Sequence, residues 1–461
     1  MKIFRFRIYL YFALCCILAM FSCGKSYLDV KRNQSEVVPH NISDYQALLD
    51  KYDLMNLKSC YNLSIVAADE YVVPLDKWET LTHPDQKNAH IWAKEIFEGK
   101  SSDDWDEAYN RILIANISAD GAEKITPNEM EHEAWSTLKG NAFFYRAFNH
   151  YQLTQVFCKP YNAQSADSDL GIVLRTESDV TIRAKRASIA ETYAQIINDL
   201  ETASELLPVK AVIKYRPCRA AAFALLARVY MQMDNYGKAL ECADSAWELN
   251  HTLIDFNELD TELRYSFTID YESNPEILFI SSIPNLQIFS AARYNILPQL
   301  YDLYEDDDLR KQIYFYQDPN NGLLFKGSYK GGATFFTGLA TDEILLMRAE
   351  CNVRVGKLST ARECLNLLRA YRYTKEAYSE ITEDNRENLL KIALEEKRKE
   401  LVFRGTRWED LRRLNKDSRT AVTLERNLDK TVYKIEPNSL RYAFPIPDNE
   451  MDLSGLVQNE R

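Results

Sequence analysis

Residues 395–415, EEKRKELVFRGTRWEDLRRLN, place five acidic and seven basic side chains around one glycine, Gly405. Nucleic-acid-binding helices are predominantly basic, so this mixture of signs is unlike one. Neighbouring cations lower the pKa of a carboxyl group, which makes these acids poor general acids. The segment predicts two helices joined by a bend at Gly405. Ion pairs of Glu395 and Glu396 with Lys399 would fix the bend, and the apolar side chains would face a core.

The composition of the whole chain favours helices. Its 461 residues are 46% hydrophobic and 27% charged, with only 14 glycines and 14 prolines. Scarce glycine and proline disfavour a turn-rich all-β protein. The formal net charge of −12 argues against non-specific binding to nucleic acid or anionic lipid, so no nucleic-acid partner is predicted.

The first residues have the layout of a bacterial export signal. A basic start precedes an apolar run from Ile8 to Phe21, and Ser22, Cys23 and Gly24 follow. The run of about 14 apolar residues is shorter than the roughly 20 that cross a bilayer. We predict a signal peptide over 1–22, lipidation of Cys23 as in a lipobox, and a tether over 23–40. Plain secretion and an uncleaved anchor are the alternatives.

Two stretches repeat the same small-residue spacing. The first, near 219–249, and the second, near 342–370, each predict a helix, a short turn and a second helix, a pattern that resembles a tetratricopeptide unit. Ser188 followed by Glu191 predicts a capping box at another helix start. We predict one mainly α-helical domain over 41–461, with repeat-like units near 105–157, 188–249, 341–370 and 386–415 and a loop-rich insert over 250–340. The matched positions are Ala227, Tyr230, Ala239 and Ala243 in the first stretch and Ala349, Asn352, Ala361 and Leu365 in the second.

Familiar catalytic and metal motifs do not occur in the sequence. It contains no glycine-rich phosphate loop, no HExxH and no GxSxG. The cysteines outside the first 23 residues are scattered and predicted to be buried small hydrophobes; an oxidising compartment would permit a disulfide, but no spacing requires one. His83 and His90 are predicted to be a solvated surface pair. The acidic run 305–308 predicts a solvated loop or helix cap, with calcium binding or catalysis as alternatives. We therefore predict no catalytic residue, no metal and no cofactor.

The chain resembles the SusD/RagB family of surface nutrient-binding lipoproteins of Bacteroidetes along essentially its whole length. The resemblance implies a mostly helical fold in which four tetratricopeptide-like units support an irregular ligand-binding half. It also implies a lipid anchor in the outer membrane, a TonB-dependent SusC-like transporter as partner, and a glycan bound without catalysis. The C-terminal NEMDLSGLVQNER lacks the Pro-Gly common in the family, which predicts a shortened tail. The landmarks, in order, are SCGKSYLDV, WDEAYNRILIAN, FFYRAFNHYQLTQVFCKPYN, the two repeats, NPEILFISS, LYDLYEDDDLRKQIYF, the 395–415 segment and FPIPDNEM.

Sugar-contacting residues vary among members of this family, so candidates come from physical chemistry. Sugar rings stack on exposed aromatic faces, assisted by amide and carboxylate hydrogen bonds. Trp78 is the first candidate, and ordinary packing is its alternative. Peptides or glycopeptides are the alternative ligand, and a glycosidase or a protein-binding repeat scaffold are further alternatives. The other candidates are Tyr71 and Trp92 beside Trp78, and Tyr294, Tyr301 and Tyr329 in the insert.

Overall fold

The computed structural model describes residues 38–183, 185–268 and 270–461. Residues 42–461 form one compact unit. The predicted signal peptide and the lipidation site Cys23 lie outside the described residues. Over the described ranges, no helix is long and apolar enough to cross a membrane.

Most of the regular structure is helical. Six helices form the principal stack: α6 packs on α7, α7 on α8, α8 on α9 and α9 on α10, and α10 then packs on α13. Helix α13 also contacts α14 and α15. In chain order the helices are α1 (Ile42–Leu49), α2 (Tyr52–Met55), α3 (Asn62–Ala67), α4 (Leu75–Glu79), α5 (Pro84–His90), α6 (Asp103–Glu123), α7 (His132–Phe157), α8 (Ile189–Leu206), α9 (Arg219–Gln232), α10 (Tyr236–Leu249), α11 (Pro298–Tyr301), α12 (Arg310–Tyr314), α13 (Thr341–Arg354), α14 (Leu358–Ala370), α15 (Arg386–Glu400), α16 (Thr406–Leu414) and α17 (Asp448–Ser454).

The two repeated stretches fold as predicted, into α9–α10 and α13–α14 with three-residue turns between the helices. Ala227 and Ala239 are fully buried in the first pair, and Ala349 and Ala361 in the second. Small side chains at these positions let the paired helices approach closely. The capping box at the start of α8 is confirmed, because the Ser188 hydroxyl accepts from the backbone of Glu191 and the Glu191 carboxylate accepts from the backbone of Ser188.

The strands are short and pair two by two, all antiparallel. The pair β1–β5 joins the segment after α3 to the 250–340 insert, because Tyr71 lies opposite Ile296. The β6–β7 hairpin packs against β5. This arrangement brings the two aromatic segments singled out in the sequence into one irregular half. The strands are β1 (Tyr71–Val72), β2 (Leu170–Val173), β3 (Arg186–Ser188), β4 (Ile277–Phe279), β5 (Asn295–Ile296), β6 (Phe315–Asp318), β7 (Gly322–Phe325), β8 (Leu339–Ala340), β9 (Leu424–Leu428) and β10 (Thr431–Ile435), paired β1–β5, β2–β3, β4–β8, β6–β7 and β9–β10.

The bend predicted at Gly405 is present between α15 and α16. Gly405 has φ of +84°, a left-handed conformation that glycine adopts without strain. A Cβ at this position would lie 2.9 Å from Cγ of Tyr61, so the bend also packs tightly. The predicted ion pair between Glu396 and Lys399 is confirmed at 3.0 Å.

The charges of residues 395–415 are mostly buried, and they connect distant elements. We call this segment the hub. Arg413 holds Glu350 of α13 by two bonds of 2.6 Å. Arg407 and Arg398 hold Asp69, which lies just before β1. The hub therefore ties the helical stack to the irregular half through one buried ion pair, Arg413–Glu350, and two half-buried pairs with Asp69.

A buried ion cluster extends from the hub into the insert. Arg310 bonds Asp308, Glu396 and Glu400 at 2.7–3.0 Å. Arg372 bonds Glu400 at 2.7 Å and also Glu276. Asp308 is fully buried, so the prediction of a solvated run over 305–308 is wrong at its last residue.

Other local predictions have mixed outcomes. His90 is buried and lies 3.0 Å from the Tyr71 hydroxyl, so the predicted solvated pair with His83 is wrong. Burial, together with the positive charge of Arg426, lowers the pKa of His90 well below its usual value. The six described cysteines are free, and all are buried except the half-buried Cys242. At the C-terminus, the Asn459 amide donates to the carbonyls of Phe157 and Phe444 at 2.7 Å.

Candidate ligand-binding groove

Four of the six predicted contact residues are buried and offer no ring face to a ligand. Tyr71, Trp92 and Tyr329 are 0% exposed, and Tyr294 is 5% exposed. These four assignments are therefore wrong for the structure as it stands. The physical reason is an aromatic cluster beneath the irregular half, in which Phe403 of the hub contacts rings from both segments.

The polar ends of these buried rings are used inside the protein. The Tyr71 hydroxyl donates to the Val66 carbonyl at 2.7 Å, and the Trp92 indole donates to the Ala67 carbonyl at 3.0 Å. The Tyr329 hydroxyl lies 3.0 Å from Asp342. Buried tyrosine and tryptophan usually find such partners, since an unpaired polar group in the core is costly.

Trp78 is half-buried and fastens α4 to α5. Its indole N–H donates to the Lys87 carbonyl at 3.0 Å, and the Lys87 ammonium lies 4.8 Å from the centre of the indole ring. The Tyr433 ring lies 6.5 Å from it at a tilt. One indole face is thus occupied by a cation and the N–H is used, so a ligand role for Trp78 stays a prediction.

Tyr301, the remaining candidate, lines a groove of about 650 Å³ in the insert. The groove is bounded by the segment 261–264, by α11 and α12, and by the β6–β7 hairpin. Its volume lies within the range of ~300–1,000 Å³ that is typical of small-ligand sites. The lining residues are Thr261, Glu262, Leu263, Arg264, Tyr301, Lys311, Gln312, Phe315, Tyr316, Gln317, Leu323 and Lys326.

Two half-exposed tyrosines supply flat apolar surface in the groove. Tyr301 meets Phe315 edge to face at 5.6 Å, which fixes its ring. Tyr316 lies on β6 opposite Leu324, so the hairpin fixes its position. The Arg264 guanidinium lies 4.0 Å from the centre of the Tyr316 ring and 4.6 Å from that of Tyr265. The Lys311 ammonium likewise lies 5.3 Å from the centre of the Tyr301 ring, so each tyrosine has a cation over one face and a sugar ring would stack on the opposite face.

Polar groups surround the two rings. Gln312 and Gln317 are exposed, and their amides can both donate and accept hydrogen bonds. Lys326 is 4% exposed, and its ammonium donates to the carbonyls of Thr261 and Gln312. Burial lowers the pKa of Lys326, and the charge of Glu262 opposes that effect. The groove thus combines aromatic faces, amides and cations within one concave surface.

The carboxylates of the groove do not form an acid–base pair. Glu262 is the single carboxylate in the lining. Glycosidases of the usual kind place two carboxylates across the scissile bond. Within the described part of the chain, no cluster of three or more histidine, cysteine, aspartate or glutamate side chains could hold a metal ion. The groove is therefore equipped to bind and hold a ligand.

A second cavity, of about 310 Å³, lies between α6 and the segment after β2. It is lined by Trp105 and Tyr109 and by several acidic side chains. The Tyr109 hydroxyl already donates to the Val173 carbonyl at 3.0 Å, and Trp105 is only 4% exposed. These rings pack against one another at 4.8 Å and leave less aromatic face for a ligand than Tyr316 does.

Sequence reasoning did not single out Arg264, Gln312, Tyr316 or Gln317. A usable signal exists in residues 312–318, QIYFYQD, where aromatic and amide side chains crowd into seven positions. Arg264 has no comparable local signal, because its importance comes from the ring of Tyr316, 52 residues later.

Comparison with known proteins identifies the same family over much of the chain. A family profile described as "Starch-binding associating with outer membrane" matches residues 26–231, and one described as "SusD family" matches residues 341–461. All residues that line the groove lie between these two ranges. The SusD-like protein P2 of Formosa agariphila is 30% identical over 181 residues, which are 36% of this chain. That match spans about a third, 33%, of the relative's length.

Solved structures share the fold across nearly the whole chain. A putative sugar binding protein from Bacteroides vulgatus superimposes with a TM-score of 0.74 at 22% identity, covering 92% of this chain and 99% of that one. A SusD superfamily protein from Bacteroides thetaiotaomicron gives 0.73 at 20% identity, covering 91% and 100%. The mainly α-helical, SusD-like fold predicted from the sequence is confirmed. The chain belongs to the SusD/RagB family.

Proposed function

We propose that this protein is a cell-surface lipoprotein that binds a glycan in the groove around Tyr301 and Tyr316. It then delivers the glycan to a TonB-dependent SusC-like transporter in the outer membrane. The observation that carries the proposal is the groove itself, which presents aromatic faces and exposed amides on a fixed hairpin. Family membership supports a nutrient-binding role, and a solved relative with the same fold is described as a sugar binding protein.

The chemistry of the groove suits a sugar better than an apolar ligand. A pyranose ring has an apolar C–H face and a rim of hydroxyl groups. Tyr301 and Tyr316 can cover the face, while Gln312 and Gln317 can pair with hydroxyls as donors and acceptors. Binding then needs no chemical step, so we propose that the protein is not an enzyme.

The anchoring step rests on the predicted signal peptide over 1–22 and on lipidation of Cys23. We expect Cys23→Ala to release the protein from the outer-membrane fraction, because the thioether link to lipid cannot form. Fractionation of cells followed by immunoblotting measures this. Retention of the variant in the membrane would show that another anchor holds the chain.

Isothermal titration of the full-length chain in detergent tests the binding step. We expect at least one oligosaccharide from a panel of neutral, carboxylated and sulfated glycans to bind, and a matched panel of peptides and glycopeptides not to bind. Tyr316→Ala should weaken that binding about tenfold, equivalent to about 1.4 kcal/mol, because the variant loses the aromatic face on which the sugar ring stacks. Tyr236→Ala is the control, because Tyr236 is also half-buried beneath an arginine but lies outside the groove.

Three results would contradict the proposal. Binding of peptides alone would assign the same scaffold to a different nutrient. Release of reducing ends from a bound glycan would make the protein a glycosidase. Equal loss of binding in the Tyr316 and Tyr236 variants would place the ligand outside the groove.

A further inference from the structure

We propose that the groove selects acidic saccharides, whose carboxylate or sulfate groups bind Arg264 and its neighbouring cations. This inference rests on the proposed function and specifies the ligand class of the same groove. It comes from an imbalance of charge in the lining, which holds three cations, Arg264, Lys311 and Lys326, and one carboxylate, Glu262.

Arg264 is a cation without an acidic partner. Over the described residues, no carboxylate oxygen lies within ion-pair distance of its guanidinium, and the side chain is exposed. Its two hydrogen bonds go to the Lys326 carbonyl and the Tyr316 hydroxyl, both at 3.1 Å. A guanidinium has five N–H donors, so most remain for a ligand. Asp318, which lies near it in the hairpin, uses one oxygen to accept three N–H groups of its own turn.

The guanidinium is also held in place before a ligand arrives. It lies between the rings of Tyr316 and Tyr265, at 4.0 and 4.6 Å from their centres. An arginine fixed in this way loses little rotamer freedom on binding, and its planar fork matches a carboxylate or sulfate. The aromatic rings of the groove can stack on a sugar ring, while the Arg264 guanidinium binds the acidic group that the sugar carries.

The two lysines reinforce this preference in different ways. Lys326 is buried, and its hydrogen bonds go to neutral carbonyl oxygens, so its positive charge is not cancelled by a contacting carboxylate within the described chain. Lys311 pairs with Asp306 at 2.7 Å, but that carboxylate is fully exposed to water. An exposed pair of this kind is weak and can be exchanged for a ligand anion.

The charge of the groove is opposite to that of the protein. The chain carries a formal charge of −12, which repels an acidic polymer at long range. The groove lining holds three cations and one acid, while Asp260, Asp306 and Asp318 lie around it, so the attraction acts at short range and is centred on Arg264. A neutral glycan can accept hydrogen bonds from Arg264, but an anionic group gains more, because both partners of the hydrogen bond are then charged.

Titration calorimetry of the full-length chain with matched pairs of oligosaccharides tests the inference. One pair is hexagalacturonate and its neutral methyl ester; the other is κ-carrageenan hexasaccharide and its desulfated form. We expect the acidic member of at least one pair to bind about tenfold more tightly, because hydrogen bonds to charged groups are roughly twice as strong as neutral ones. A difference within the galacturonate pair would indicate recognition of a carboxylate, and a difference within the carrageenan pair would indicate recognition of a sulfate.

Variants that each lose one positive charge show which residues cause the preference for acidic saccharides. Arg264→Gln and Lys311→Gln, both at water-accessible sites, should each reduce the preference for the acidic member severalfold. Lys430→Gln is the control, since Lys430 is exposed in the β9–β10 turn and lies outside the groove. Higher salt should weaken acidic binding in the wild type more than in Arg264→Gln.

The outcomes separate the two proposals. Equal affinity for acidic and neutral members, or a preference unchanged by Arg264→Gln, would overturn acid selection and leave glycan binding intact. Binding of neutral glycans alone would also overturn acid selection and leave glycan binding intact. If no saccharide of any charge binds, the proposed function fails together with this inference.

Discussion

Arg310 and Arg264 lie in the same irregular insert, yet their surroundings are opposite. Arg310 is fully buried and contacts the carboxylates of Asp308, Glu396 and Glu400. Arg264 is exposed and rests on two tyrosine rings, and no carboxylate within the described residues pairs with it. One arginine has its charge neutralised inside the protein, and the other keeps its charge available at a groove.

The comparison shows how charge is divided between scaffold and recognition. The hub, residues 395–415, holds most of its charged side chains in buried pairs, and so the densest charged segment in the chain is structural. Two cations without a carboxylate partner among the described residues, Arg264 and Lys326, lie at the groove where we propose that a ligand binds. A charge-rich stretch of sequence is therefore a poor guide to a binding site unless its partners are known.

Removing a hub-linked arginine should have the largest effect on stability. Arg372→Ala leaves Glu276 buried without its cation and leaves Glu400 with Arg310 alone, and losing one partner of a buried pair costs about 3–5 kcal/mol in comparable sites. Urea denaturation followed by circular dichroism measures the loss. Lys375→Ala is the control, since Lys375 pairs with Asp255 in water and should leave the urea midpoint unchanged. Equal midpoints for the two variants would contradict a structural role for the buried cluster.

The bend of the hub should tolerate no side chain. Gly405→Ala places a Cβ 2.9 Å from Tyr61 in a left-handed backbone, and we expect a loss of about 2–4 kcal/mol. Gly99→Ala has a similar φ of +80° with open space around it, so it should lose only about 1–2 kcal/mol. The difference between the two unfolding free energies isolates the contact with Tyr61. If the two losses are equal, packing at the bend contributes nothing.

Glu70 connects the hub to β1 and should make stability depend on pH. Burial raises the pKa of Glu70 to about 7, although its carboxylate accepts from the Phe403 amide at 2.8 Å. The ordinary pKa is 4.5, so between pH 4.5 and 7 the folded state binds more protons than the unfolded state, and stability falls as pH rises. Ionisation of Glu70 should lower the unfolding free energy by about 3 kcal/mol by pH 8.

The Glu70→Gln variant stays neutral and should lose that part of the pH dependence. Its unfolding free energy relative to wild type should rise between pH 5 and pH 8. Asp69→Asn should change the pH dependence of stability in the opposite direction. Burial raises the pKa of Asp69, but the charges of Arg407 and Arg398 outweigh burial and lower that pKa. In the wild type, ionised Asp69 stabilises the fold above its ordinary pKa of 3.8, and this stabilisation disappears as pH falls. A Glu70→Gln profile parallel to wild type would contradict the assignment.

Substitution in the groove should have the smallest effect on stability. Arg264→Ala removes an exposed side chain with no ion pair among the described residues, so its urea midpoint should match that of wild type. Its affinity for an acidic saccharide should nevertheless fall. A clear loss of stability in this variant would show that Arg264 belongs to the scaffold and would remove the contrast with Arg310.

The fold was predictable from the sequence where its signals are local. The Gly405 bend, the capping box at Ser188 and the two repeated helix pairs all depend on residues a few positions apart. The burial of Asp308 and of the hub charges was not predictable, because the partners Arg310 and Glu396 are 86 positions apart. The groove was found in part, through Tyr301. Tyr71 and Trp92 were wrong because aromatic composition alone cannot tell an exposed ring from one packed against a distant residue, here Phe403 for Tyr71 and Arg426 for Trp92.

A crystal structure of the full-length chain with its tightest-binding oligosaccharide would show directly where the ligand binds. We expect a sugar ring within about 4.5 Å of the Tyr316 ring, with an acidic group of the ligand bonded to Arg264. The hub should be unchanged, with Arg310 still bound to its three carboxylates. A ligand bound at Trp78 or in the cavity beside Tyr109, with no saccharide in the groove, would contradict the account.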